Sequence, residues 1–165
     1  MPVTPTGILS EPLASLRDQL AACPAFQAWV GAVDTEAAKA NVHLLVAPDE
    51  AGPYPLAIID FGDTASERVT LLSGSRWALR SGSDLIILFR AEATGEEPDA
   101  TFTFTNALGA VMAEMEATAG NYSNGTPGLV AIELVMPPTR TNEEKRATEG
   151  DFFEAGFSCT MSRAK

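Results

Sequence analysis

The clearest pattern along the chain is an alternation near its C-terminal end, in Asp151–Arg163. Phe153, Ala155, Phe157, Cys159 and Met161 fall on one face; Phe152, Glu154, Gly156, Ser158, Thr160 and Ser162 fall on the other. Side chains change face at every residue of a strand, so this run predicts a half-buried β-strand. One apolar face needs a sheet beside it and a layer over it. The predicted cover lies upstream, in a long helix over 101–119. There Phe104, Leu108, Val111, Met112 and Met115 recur at helical spacing, with Thr101 or Thr103 as the N-cap. Burying these five side chains is worth roughly 1.5–3 kcal/mol each before entropy is charged.

From the start of the chain, residues 1–9 read as a loose lead-in. Ser10 is the expected N-cap of a first helix, with Pro12 in its first turn and Leu13, Leu16, Leu20 and Cys23 along one side. Pro24 ends it. Phe26, Trp29 and Val30 mark a short second helix closed by Gly31, and Asp34 caps a third helical turn through Glu36–Ala40. Strands follow at Val42–Ala47, Leu56–Phe61, Glu67–Leu72 and Ser83–Ala93. The second is apolar on both faces and is therefore central. Two Ser-Gly-Ser turns surround Arg76, Trp77 and Arg80. Gly95–Asp99 is an acidic loop and Gly120–Gly128 a turn-rich one. Leu129–Met136 predicts a strand with Val130, Ile132, Leu134 and Met136 on one face. Pro137–Gly150 reads as a polar loop or arm before the last strand. Short links between strands favour antiparallel neighbours. The expected fold is a single α+β domain over 1–165, a mainly antiparallel β-sheet with the long helix and the N-terminal helices packed on it.

Composition narrows the function classes. The 165 residues are 45% apolar and 20% charged, as in a soluble globular domain that buries its own core. A net charge of −11 argues against binding nucleic acid along the whole surface. Cys23 and Cys159 each sit in an apolar periodic segment and read as buried free thiols, so a reducing, cytoplasm-like compartment is expected. Met-Pro-Val-Thr-Pro has neither the basic patch nor the apolar run of a signal peptide, and no run is long enough to span a bilayer.

Candidate chemistry is sparse. His43, the one histidine, lies in an apolar strand, and no Gly-x-Ser-x-Gly elbow supplies a nucleophile for it. One histidine and two scattered cysteines make no zinc site, the acidic residues lack calcium spacing, and the glycines mark turns rather than a phosphate cradle. No catalytic, cofactor-binding or metal-binding residue is expected. Glu96, Glu97 and Asp99 precede the long helix, where its dipole favours negative charge. Two features read either as ordinary solvated surface or as contacts between proteins. Arg68, Arg76, Arg80 and Arg90 gather cationic charge around Trp77 in an otherwise acidic chain, and Arg and Trp are favoured at interfaces. The second is 137–150, longer than an ordinary hairpin loop, which carries Arg140, Glu143, Glu144, Lys145 and Arg146. The subunit-interface candidates are therefore Arg76, Trp77, Arg80, Arg140, Glu143, Glu144, Lys145 and Arg146.

The order of elements resembles a family. A leading helix with Phe26-Gln-Ala-Trp-Val30, a run of strands, one long helix, a strand, a polar loop and the closing strand Asp151-Phe-Phe-Glu-Ala-Gly-Phe-Ser-Cys-Thr160 is similar to the small tail terminator or tail completion proteins of long-tailed bacteriophages and related prophages. The resemblance implies a structural protein without a catalytic residue. It implies a hexameric ring that caps the tail tube, ends tube polymerisation and offers the surface to which the head docks. The implied partners are the tail tube protein and head–tail connector or neck proteins, with DNA passing through the ring and no membrane. The implied location is the tail or neck of the virion, after assembly in the host cytoplasm. Another neck or head–tail joining protein is the neighbouring reading, and a small hydrolase or ligand-binding module using His43 is the reading from a different class. Asp49–Pro55, Ser73–Ser83 and Gly120–Gly128 lengthen this chain beyond a minimal terminator.

Overall fold

The computed structural model describes residues 3–47, 54–61, 69–71, 77–79, 85–120, 127–141 and 151–163, with backbone alone at 7–8, 69–71, 77–79 and Arg163. Helices α1 (Gly7–Ala22), α2 (Pro24–Val30) and α3 (Thr35–Lys39) lead. Strands β1 (Val42–Leu44), β2 (Leu56–Phe61), β3 (Val69–Leu71), β4 (Trp77–Leu79) and β5 (Leu85–Glu92) come next. Helix α4 (Asp99–Thr118) and strands β6 (Gly128–Thr141) and β7 (Phe152–Arg163) complete the order. The fold is α+β, with one mixed and mostly antiparallel sheet; among the described residues only β1 and β2 pair in parallel, across the link 45–55. That pair departs from the expected antiparallel neighbours, because a link of this length lets the chain return to the same end of the sheet.

The sheet is two long hairpins side by side. β2 pairs with β5 and β3 with β4; β7 pairs with β5 along one flank and with β6 along the other. Ser162 faces Gly128 on one flank and Ala78 on the other, so β4 continues the lane of β5. The lanes run β1, β2, β5, β7, β6, and β1 and β6 are the outermost among the described residues.

The alternation of β7 sorts as expected. Phe153, Ala155, Phe157, Cys159 and Met161 join Ala57, Ile59, Leu85, Ile87 and Phe89 under the helices. Leu13, Leu16 and Leu20 of α1, Phe26 of α2, and Phe104, Leu108, Val111 and Met115 of α4 close that core. Rings of Phe26, Trp29, Phe89, Phe104, Phe153 and Phe157 interlock with centroids 5.1–6.5 Å apart. Edge-to-face and offset pairs of this kind add about 0.5–1.5 kcal/mol each beyond area burial. Both cysteines are buried thiols outside any disulfide, as expected. The other face of the sheet also buries Leu56, Ile58 and Phe152, with Tyr54 stacked on Phe152.

Several boundaries differ from the sequence reading. α1 starts at Gly7 with Thr6 at the N-cap position, so the lead-in is shorter, and Ser10 lies inside the helix donating its hydroxyl to the Thr6 carbonyl at 2.6 Å. Pro12 is likewise inside the helix rather than in its first turn. Gly31 closes α2 at φ 69°, and the Asp34 carboxylate caps α3 by accepting from the Ala37 amide, both as expected. β1 stops at Leu44 because Leu45 takes a left-handed φ of 55°. Trp77–Leu79, read as part of a turn, is a strand. α4 begins at Asp99, and Thr101 and Thr103 sit inside it, bonded back to the Glu97 carboxylate and the Asp99 carbonyl.

The largest correction concerns 137–141, the described part of the segment read as a polar loop, since 142–150 lie outside the described residues. β6 runs through Pro137 and Pro138 to Thr141, paired with β7 across three register irregularities. Each irregularity flips the pleat, so Val130, Ile132, Leu134 and Met136 do not form one core face. Leu129 is the buried residue, while Val130 and Leu134 are 42% and 53% exposed.

Candidate interaction surface

Of the eight interface candidates, Arg140 has a described side chain. Trp77 is placed by its backbone in β4, opposite Arg163, and Arg76, Arg80, Glu143, Glu144, Lys145 and Arg146 lie outside the described residues. Arg140 is committed within its own subunit. Its Nε and Nη2 donate to Asp151 Oδ2 at 3.0 and 2.8 Å, and its Nη1 donates to Glu97 Oε1 at 2.9 Å. The guanidinium lies 5.9 Å from the Phe153 ring centroid. Asp151 and Glu97 together hold the guanidinium above its ordinary pKa. Glu97 is held below the usual carboxylate value, first by the Thr101 hydroxyl and then by Arg140. The cluster ties the end of β6 to the start of β7 and to the first turn of α4. Within the subunit it clasps the loop end of the β6–β7 hairpin.

Arg90 also leaves the proposed cationic surface. It is 7% exposed on the sheet face opposite the helices, ion-paired with Glu154 and 4.5 Å from the Phe152 ring centroid. Arg68 lies outside the described residues. His43 sits on β1 opposite Ile58, and among the described residues no hydroxyl or carboxylate is hydrogen-bonded to its ring. Cys23 is pushed up to about 11 by burial and by the Glu114 carboxylate, so it stays a neutral thiol and donates to the Gln19 carbonyl. A shallow open cleft beside α1 takes in Glu11, Arg17, Asp18 and Pro127. Arg17 is paired with Asp18 and the Ser15 hydroxyl with the Pro127 carbonyl.

The surface feature that stands out is the outer edge of β6. At its start, the Leu129 amide and carbonyl point away from β7, where Gln19 Oε1 and the Gly120 amide engage them at 3.4 and 2.8 Å. At its far end, Pro137 and Pro138 interrupt the ladder, one way natural sheets blunt an edge. Between these stops lies Val130-Ala-Ile-Glu-Leu-Val135, rich in strand-forming residues, with no strand on its outer side among the described residues. Val130, Leu134 and Val135 are 42%, 53% and 52% exposed. Each of these residues is legible in the sequence but the edge is not, since which strand lies outermost depends on pairings distant in the chain.

No described helix is long and apolar enough to cross a membrane. Among the described residues no three histidine, cysteine or acidic side chains gather as a metal site would require. No protein-family model matches the chain, and no curated protein matches it.

Proposed function

We propose that this chain is a structural virion protein that forms a ring on the tail tube of a long-tailed bacteriophage, ends tube polymerisation and offers the surface to which the head docks. The open edge of β6 carries the reading. A six-residue, strand-prone, partly apolar edge is the kind of surface that another chain completes by strand addition. The element order that resembles tail terminators supports the same reading. Rings arise when a head-to-tail contact closes on itself, and an acidic subunit suits a passage through which DNA slides without sticking. The partners in this reading are further copies of the chain, to a hexamer, with the tail tube protein below and connector or neck proteins above. It works in the virion tail or neck after assembly in the bacterial cytoplasm.

Light scattering over a range of concentrations, with and without assembled tail tube, tests the proposal. The expected result is a species near six subunits, formed freely or on the tube, and tubes that stop growing when the protein is added. Rings that bind purified connector but leave tube growth unchanged would favour a head–tail joining protein. A monomer under both conditions would overturn the ring.

A further inference from the structure

We infer that the open edge of β6 is closed by β1 of a neighbouring copy of this chain, so that one sheet runs on from subunit to subunit. This rests on the ring reading and specifies the contact within it.

Strand direction is the first argument. β1 and β2 run the same way, and β2–β5, β5–β7 and β7–β6 are each antiparallel, so β6 runs opposite to β1. A second copy placed beside β6 in the same orientation, as a head-to-tail contact requires, brings its β1 to β6 antiparallel. That is the slightly more stable of the two pairings.

The pleat is the second argument. On β6, Ile132 and Leu134 face the helix side, opposite Cys159 and Phe157, while Glu133 faces the other side, opposite Ser158. On β1, Val42 and Leu44 lie on the helix side, opposite Ala57 and Ile59, while His43 lies on the other, opposite Ile58. Setting His43 of one copy against Glu133 of the next puts Val42 against Leu134 and Leu44 against Ile132. Apolar side chains then meet on the core side and an imidazole meets a carboxylate on the other. A slip by one residue would set Glu133 against a β1 leucine or valine and turn every side chain to the wrong face.

Exposure is the third argument. Leu45, next to β1, is 53% exposed and in this register would come beside Val130 of β6, which is 42% exposed, so apolar surface is present next to both outermost lanes. Pairing β6 with β6 about Glu133 instead would place two carboxylates opposite each other.

The test is the double variant H43C/E133C, oxidised at assembling concentration. Opposed Cα atoms on antiparallel strands lie about 4.5–5.5 Å apart, within disulfide reach. The expected result is a covalent ladder extending past the dimer, absent from either single variant. A covalent dimer from E133C alone would show like edges pairing and overturn the inference. A native mass near six subunits without a ladder would overturn this contact and leave the ring standing. A monomer with and without tail tube would overturn both. Leu134→Lys, at an exposed position, should raise the concentration for half-assembly at least tenfold while leaving the melting temperature of the monomer unchanged.

Discussion

Phe157 shows what one residue of the alternation does. Its ring packs edge-on against Phe89 at 5.7 Å, and Leu134 of β6 is its partner across the strand. Phe157→Ala removes a buried ring from an interlocked cluster, and a loss of about 3–5 kcal/mol is expected in chemical denaturation. A loss under about 1 kcal/mol would mean that the ring does not sit in the core. Arg140 makes a different point. Sequence placed it on an arm reaching for a neighbour, but Glu97, distant in the chain, and Asp151, beyond the polar segment, hold it. Glu97 has a depressed pKa, so its contribution is present above the ordinary carboxylate value of 4.5 and is lost as pH falls through the lower folded value. Amide-exchange protection at Thr141 should therefore fall as the solution is acidified below that value. Glu97→Gln should lower the protection at neutral pH and flatten its pH dependence; an unchanged profile would show that the clasp does not hold the loop end of the hairpin.

Among the elements, β6 and β7 depend on one small residue. A Cβ built on Gly156 would meet Met136 Cβ at 3.1 Å, closer than ordinary van der Waals contact, so one strand would have to give by a few tenths of an ångström. Gly156→Val should cost about 1–3 kcal/mol by overpacking. Adding Met136→Gly, which removes the Cβ that the new side chain would meet, should return part of it, and the coupling between the two changes is read in a double-mutant cycle. Additive costs would show that strand entropy rather than the close approach sets the penalty. The same hairpin explains what was legible in the sequence. β7 was legible because its alternation never slips, and α2 and α3 because Gly31 and Asp34 perform local tasks that sequence states directly. β6 was cut short because Pro137 and Pro138 read as breakers. On an outer strand their missing amides cost nothing to a neighbour, and the irregular register absorbs them. β4 was read as a turn because three residues between Ser-Gly-Ser segments carry no period. The clasp and the open edge were illegible for a shared reason: each is made by pairings between residues distant in the chain.

For the whole molecule, the balance is between a strand contact and a charge of −11 on every copy. Like-charged subunits repel, and at low salt that repulsion reaches well beyond the contact, since the screening length is about 30 Å at 0.01 M and about 8 Å at 0.15 M. The inferred contact itself sets one carboxylate, Glu133, against one imidazole, His43, and its hydrogen bonds and apolar side chains are largely indifferent to screening. Assembly should therefore tighten as salt rises from about 0.01 to 0.15 M, the opposite of a contact built from many ion pairs. Sedimentation or light scattering at fixed protein concentration measures this directly. Tightening with salt is what a continuous sheet between acidic subunits requires. Loosening would point instead to a patch of basic side chains meeting an acidic neighbour, and would return the interface to Arg76 and Arg80.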